Sequence, residues 1–159
     1  MSVKLTCRTA KMDKYIKIAA LYIAALKAMA LVHQHNHWTT KGSEFYGSHL
    51  LFERLYKSTL ENLDLAAEKF MGVFGDKCLD YDLQTSLLSR VLSKYSNLEG
   101  SPARMSLAVE KDFITFSKLA YNTFEDEGRL TLGIDDMLMA ISSQREESVY
   151  LLQQTLDQK

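Results

Sequence analysis

Imidazole and carboxylate side chains recur at short, regular spacings between residues 37 and 68. The residues concerned are His37, His49, Glu53, Asp64 and Glu68, with Trp38 next to His37. Carboxylates combined with imidazole suit Fe(II) and stabilise Fe(III) more strongly, because hard oxygen donors favour the higher charge. A set of ligands without a thiolate argues against Cu(I) or structural zinc. These residue types therefore predict an iron site.

A single helix would present the last four of these residues on one stripe. With His49 as the reference and about 100° per residue, Glu53 lies near 40°, Asp64 near 60° and Glu68 near 100°. Glu53 and Asp64 are nevertheless about 16 Å apart along the axis, so one ion cannot reach both pairs. If two copies of the helix cross antiparallel about a two-fold axis, Asp64 and Glu68 of one face His49 and Glu53 of the other. The sequence thus predicts a metal site shared between subunits, with two equivalent sites in each dimer.

An ordinary solvated helix face also carries histidine and acids, and this alternative must be weighed against a metal site. The apolar residues of the same segment are Leu51, Phe52, Leu55, Leu63, Ala66 and Phe70. They fall on a different arc, about 200° to 320° from His49, which marks the face toward the core. Tyr56 and Leu60 instead lie within about 20° of His49, between the two ligand pairs. Apolar side chains in that place favour a contact with another helix over a solvated face.

Long helices must position these residues, and the capping and periodicity signals divide the chain into four of them. They span about 13–40, 43–74, 101–126 and 134–156, and a shorter helix is predicted at 83–95. Ser101 and Pro102 are the expected N-cap and first residue of the third long helix. Four helices with one long crossover is the ferritin-like connection pattern. The predicted fold class is all-α, a ferritin-like four-helix bundle whose crossover between the second and third long helices contains a short helix.

Length and composition agree with one helical domain. The chain has 159 residues, 47% of them hydrophobic, and a single proline, which is enough to bury one core. We expect a flexible basic N-terminal tail at 1–12 and the bundle domain at 13–159. The longest apolar run, 18–32, is interrupted by Lys27 and looks too short to span a bilayer. With no secretory signal evident, the expected location is cytoplasmic and no membrane partner is predicted.

A larger ferritin is the main rival within the same fold, because its irons lie inside one bundle. That site needs a Glu-x-x-His pair on each of two helices, and the sequence contains no such pair. All the histidines, His33, His35, His37 and His49, precede residue 50. The later helices therefore supply no imidazole, and the shared site remains. His33, four residues before His37, is either a second ligand or a residue that packs or hydrogen-bonds.

At this point the residues match a known family. The pattern His37-Trp38-x-x-x-Gly42-x-x-Phe45-x-x-x-His49-x-x-x-Glu53, followed by Asp64-x-x-Ala67-Glu68, resembles the Dps proteins, mini-ferritins that protect DNA in starved cells. The resemblance implies that His37, His49 and Glu53 come from one subunit and Asp64 and Glu68 from its two-fold mate. The family usually has Asp where this chain has Glu53, which keeps the ligand type but lengthens the side chain.

The resemblance also implies an activity and an assembly. Family members are ferroxidases in which two ferrous ions at each inter-subunit site are oxidised together, preferentially by hydrogen peroxide and otherwise by dioxygen. The ferric product is stored as mineral inside a hollow homo-dodecamer, which protects DNA from oxidative damage. Trp38 is expected either to scavenge stray oxidising equivalents or to serve as an interface aromatic. The implied location is cytoplasmic, with association to the nucleoid as an option.

DNA binding is the alternative function. Net charge is −1, and Lys4, Arg8 and Lys11 in an acid-free tail leave −4 for residues 13–159. The body therefore carries no basic excess, but tails from many subunits could bind DNA together in a salt-sensitive, sequence-blind way. A purely structural bundle is a third reading. An acidic group around the last turn, Glu125, Asp126, Glu127, Asp135 and Asp136, either lines a pore for iron, as the resemblance implies, or is simply solvated.

Overall fold

The computed structural model describes residues 12–96 and 98–157. All regular structure in these ranges is helical, which confirms the predicted all-α class. The helices are α1 (Lys14–Thr39), α2 (Phe45–Phe74), α3 (Tyr81–Ser93), α4 (Pro102–Asp126) and α5 (Leu132–Asp157), with a 3-10 turn at Asp76–Leu79. The short α3 lies in the crossover between α2 and α4, as predicted. Residues 1–11, which include Cys7 and the cations of the predicted tail, lie outside the described residues.

Two helix ends follow directly from local sequence. The Ser101 hydroxyl accepts the backbone N–H of Arg104 at 3.4 Å, and Pro102 is the first residue of α4. Proline fits there because its missing N–H would have no partner in the first turn. Gly75 ends α2 with a φ of 83°, in the left-handed region that favours glycine. The cap at Ser101 and Pro102 is the predicted one, and α2 ends at residue 74 as the sequence predicts.

Other boundaries differ from the prediction by a few residues. The Asp80 side chain accepts the backbone N–H of Leu83 at 2.9 Å, so α3 begins before the first apolar position of its pattern. Thr131 Oγ1 accepts the N–H of Ile134 at 3.2 Å in the same way at the start of α5. The 3-10 turn at Asp76–Leu79 was not predicted, because four residues carry no helical period. Side-chain caps, not apolar spacing, decide these ends.

The core is built around α1, whose inner face packs on α2, α3 and α4. The ring of Tyr22 meets Phe113 of α4 and Phe70 of α2 edge-on, with centroids 4.9 and 5.7 Å apart. A second buried group ties α2 to α4 and α5; it consists of Phe52, Leu55, Ala103 and Leu152. These contacts hold α1 against α2 and fix the first half of α2, on which His49 and Glu53 lie.

α1 is long and apolar enough to cross a membrane by length and mean hydropathy, and no other helix among the described residues is. By this measure the apolar stretch of α1 is longer than the sequence run 18–32, which Lys27 interrupts. In the structure 61% of its most apolar window is buried against the other helices. A core helix of a folded bundle has this same composition, so the measure alone is weak support for a membrane span.

Candidate metal centre

Two hydrogen bonds join His37, in the last turn of α1, to His49, near the start of α2. Each runs from one imidazole ring to the backbone carbonyl oxygen of the other residue. Nδ1 of His37 donates to the carbonyl oxygen of His49 at 2.9 Å, and Nδ1 of His49 donates to that of His37 at 3.0 Å. A carbonyl oxygen only accepts, so each neutral ring carries its proton on Nδ1. Each Nε2 then keeps its lone pair and enters no hydrogen bond within the described residues. This is how metal-binding imidazoles are oriented in proteins.

Aromatic neighbours hold the two imidazoles in place. The rings of His37 and His49 are stacked with centroids 3.8 Å apart. Phe45 lies 5.1 Å from His49, and Tyr56 meets His37 edge-on at 5.4 Å. Both histidines are half-buried. Rings held on two sides lose little further freedom when they bind a ligand, so the pair is pre-organised.

Glu53 lies one helical turn after His49 and is paired with Lys57. Lys57 Nζ is 2.5 Å from Glu53 Oε1. The hydrogen bond and charge of Lys57 lower the pKa of Glu53. Lys57 thus favours the ionised form of Glu53 in the single chain. Lys57 is a neighbour that the search for ligands missed, although the four-residue Glu–Lys spacing could have revealed it.

Asp64 and Glu68 lie farther along α2, and both are exposed. Trp38 is 68% exposed although it is the largest apolar side chain of the segment, and Leu60 is 45% exposed. Across the residues that the structure describes, no group of three or more His, Cys, Asp or Glu is arranged to hold a metal ion. One chain therefore brings His37, His49 and Glu53 to one end of the stripe and leaves Asp64 and Glu68 at the other.

A group of polar side chains is buried where α1, α2, α4 and α5 meet. This core polar cluster consists of His33, Thr59, Ser106, Glu110 and Arg145, each of them buried. Nε2 of His33 and Nη1 of Arg145 both donate to Glu110 Oε1, at 2.9 and 3.2 Å. Arg145 Nη1 also donates to Thr59 Oγ1 at 2.8 Å. Of the two roles open to His33, the structure shows the hydrogen-bonding one.

Hydrogen-bond direction can be followed through the cluster. Asn36 Nδ2 donates to Ser106 Oγ at 2.9 Å, which leaves the Ser106 hydroxyl proton free to bond His33 Nδ1 at 3.0 Å. The ring proton of His33 is then on Nε2, facing Glu110. Burial lowers the pKa of Arg145, while the Glu110 carboxylate raises it. The cluster is thus a buried ion pair extended by a hydrogen-bonded imidazole.

Sequence comparison finds no relative: no protein-family profile matches the chain, and no curated protein matches it. Solved structures do match. Dps from Thermosynechococcus elongatus is similar with a TM-score of 0.75 and 18% identity, over 89% of each chain. A Dps protein from Bacillus brevis is similar with a TM-score of 0.68 and 24% identity, over 91% of this chain and 99% of that one. This chain has the fold of the Dps proteins.

The Dps fold spans nearly the whole chain, and it confirms the predicted ferritin-like bundle with its short crossover helix. Identities of 18% and 24% show a common fold and leave the chemistry to be argued from this chain's own side chains. Among these, the ring pair of His37 and His49 leaves both Nε2 atoms without a hydrogen bond within the described residues, and Glu53 follows His49 by one helical turn.

Proposed function

We propose that this protein is a Dps-like mini-ferritin, a ferroxidase that takes up Fe(II) and stores it as ferric mineral. The reciprocal hydrogen bonds of His37 and His49 carry the proposal. They leave two imidazole Nε2 lone pairs without a hydrogen bond within the described residues, one helical turn before Glu53 on α2. A solvated helix face has no need for two stacked histidines that each anchor the other's backbone.

The complete site is formed between two subunits. His37, His49 and Glu53 bind iron from one subunit, and Asp64 and Glu68 supply carboxylates from its two-fold mate. The exposure of Asp64, Glu68 and Leu60 in the single chain supports a surface that a second copy covers. Homo-oligomerisation, with a dodecamer built from such dimers, follows from this proposal and from the Dps fold.

Each residue has a definite part in the reaction. The imidazole nitrogens and carboxylates hold two ferrous ions, and the oxygen donors favour the ferric product because of its higher charge. Each Fe(II) gives one electron, so two ions and two protons reduce one hydrogen peroxide to two water molecules. Dioxygen is the other oxidant. Trp38, exposed beside His37, is placed to take up stray oxidising equivalents or to pack against the mate subunit.

A ferroxidase assay tests the proposal. Purified protein is mixed with Fe(II) and peroxide, and ferric absorbance is followed for the parent, His49→Ala and His35→Ala. His35 is an exposed α1 residue outside the site, so His35→Ala is the matched control. We expect the parent and the control to oxidise iron at the same rate and His49→Ala to be slower by at least about tenfold. Equal rates for all three proteins would rule the site out.

Protection of DNA is part of the proposal, by removal of iron and peroxide in the cytoplasm. Direct DNA binding would use the basic residues Lys4, Arg8 and Lys11, which lie outside the described residues. Deletion of 1–12 is expected to abolish any DNA retardation at low salt and to leave iron oxidation unchanged, because tail and metal stripe are separate. A full-length protein that does not retard DNA at low salt contradicts the tail proposal alone.

A further inference from the structure

In the core polar cluster, side chains that can bind a metal ion surround a position that the guanidinium of Arg145 fills. His33 comes from α1, Thr59 from α2, Glu110 from α4 and Arg145 from α5, so all four long helices contribute. Helix bundles build metal sites in this way, from side chains on facing helices. Here an imidazole and a carboxylate face each other at 2.9 Å, and Arg145 supplies the positive charge.

The bonding in the cluster is incomplete. Glu110 Oε1 accepts from both His33 and Arg145, whereas within the described ranges 12–96 and 98–157 neither Glu110 Oε2 nor Arg145 Nε has a hydrogen-bond partner. Glu110 is 0% and Arg145 1% exposed, so these atoms cannot simply be solvated from outside. A buried carboxylate oxygen without a partner is costly. The cluster therefore holds an acceptor able to bind a further cation.

A cavity leads from the surface to this point. It has a volume of about 170 Å³, lies between α2 and α5, and is lined in part by the buried Arg145. Ser58, Gln144 and Glu61 line it, and so do Arg54 and Glu147, which form an ion pair at 2.6 Å. Arg145 Nη2 donates to Ser58 Oγ at 2.8 Å. A cation that enters the cavity meets the guanidinium before it can reach Glu110 or His33.

We propose that the guanidinium of Arg145 occupies, and thereby blocks, a second metal site inside the bundle. With the His33 ring proton moved to Nδ1, toward Ser106 Oγ, the His33 Nε2 atom, the Glu110 carboxylate and the Thr59 hydroxyl form a donor set for a divalent cation such as Zn²⁺ or Co²⁺, which accept mixed nitrogen and oxygen ligands. Arg145 neutralises the charge of Glu110 and fills the position that a metal ion would take, so metal ions are kept out of the bundle interior. The inference is independent of the inter-subunit site.

Replacement of Arg145 by methionine tests the proposal, because methionine has similar length and no charge. Bound Co²⁺ is counted by equilibrium dialysis and its visible absorption is recorded, always as a difference from the parent protein. We expect Arg145→Met to bind about one additional cation per subunit, with new absorption bands from a nitrogen-containing site. Arg145→Lys, which keeps a cation, and Arg145→Met/Glu110→Gln, which lacks the carboxylate, should both return to the parent's stoichiometry.

The stability of Arg145→Met provides a second readout, because it leaves Glu110 buried without its cation. Zn²⁺ should raise the unfolding temperature of Arg145→Met more than that of the parent or of the double variant. If Arg145→Met folds only when Zn²⁺ is present, the same conclusion holds. A variant that gains neither bound Co²⁺ nor stabilisation by Zn²⁺ overturns the proposal, and so does a gain that survives the Glu110→Gln change.

Discussion

At the scale of single residues, the hydrogen bonds between His37 and His49 fix which ring nitrogens are free. Because each Nδ1 is committed to a backbone carbonyl, both Nε2 atoms are available for a metal ion. The geometry also explains why the histidines are twelve residues apart: α1 must end and α2 must begin before the two rings can meet. The loop between these helices is therefore part of the site.

Lys57 is the residue that most directly opposes metal binding at Glu53. Its ammonium lowers the pKa of Glu53, so Lys57→Met should raise that pKa toward its usual value. Because the pKa of Glu53 is lower in the folded protein than in the unfolded one, the ion pair stabilises the fold at pH values above the unfolded pKa. This stabilisation is lost as the pH falls through the folded pKa, and Lys57→Met should weaken the pH dependence. NMR titration of the Glu53 carboxyl carbon measures the shift, with the exposed Lys111→Met as control. An unchanged Glu53 titration would show that the ion pair is absent in solution.

Arg145 and Glu110 were not predicted as buried residues, although the sequence holds a signal for both. Arg145 stands in the polar run 142–147 and looks exposed when residues are judged by type. It nevertheless follows Ile141 by four residues and precedes Leu152 by seven, which is the spacing of core positions. Glu110 precedes the buried Phe113 by three in the same way. Periodicity identifies the face, but only packing shows that another helix supplies a partner.

At the scale of helices, short polar contacts set the ends and apolar periodicity sets the rest. The four long helices could be predicted because their core-facing residues recur over more than twenty positions. The crossover could be predicted less well, since its 3-10 turn has no period and α3 begins at a side-chain cap. The candidate ligands on α2 were predictable as a stripe, and the pairing of Lys57 with Glu53 could have been read from their four-residue spacing. The contact of Tyr56 with His37 depended on rotamers.

The cap of α3 can be tested separately from the metal site. Asp80 accepts the N–H of Leu83, and loss of such a cap costs about 1 kcal/mol. Asp80→Ala should therefore lower the free energy of unfolding by about that amount, while Asp80→Asn, which caps equally well, should leave it nearly unchanged. Denaturant unfolding followed by circular dichroism gives both values. Equal losses in the two variants would assign the effect to charge, not to capping.

At the scale of the whole molecule, a single chain does not bring all the proposed ligands together. Asp64 and Glu68 are exposed and distant from the histidines, and Leu60 stands between the two groups. Antiparallel crossing of two α2 helices would bring the groups together and cover Leu60. Assembly and iron oxidation should accordingly depend on the same surface.

Leu60→Asp tests that dependence without removing any proposed ligand. Near the two-fold axis the variant would place two like charges face to face, at a cost of several kcal/mol per dimer unless the interface opens. Sedimentation and peroxide-driven iron oxidation should both fall, whereas the conservative Leu60→Met should preserve both. A Leu60→Asp protein that assembles and oxidises iron like the parent would mean that the helices do not cross there.

Complementation between two inactive chains tests the shared site most directly. His49→Ala and Asp64→Ala chains, each with its own affinity tag, are co-expressed, and mixed dimers are isolated through both tags. In a mixed dimer, His49 of one chain and Asp64 of the other form one intact site, so iron oxidation should recover to about half of the parental rate. Each variant alone should stay inactive. If verified mixed dimers are as inactive as the separate variants, the site is not shared between subunits.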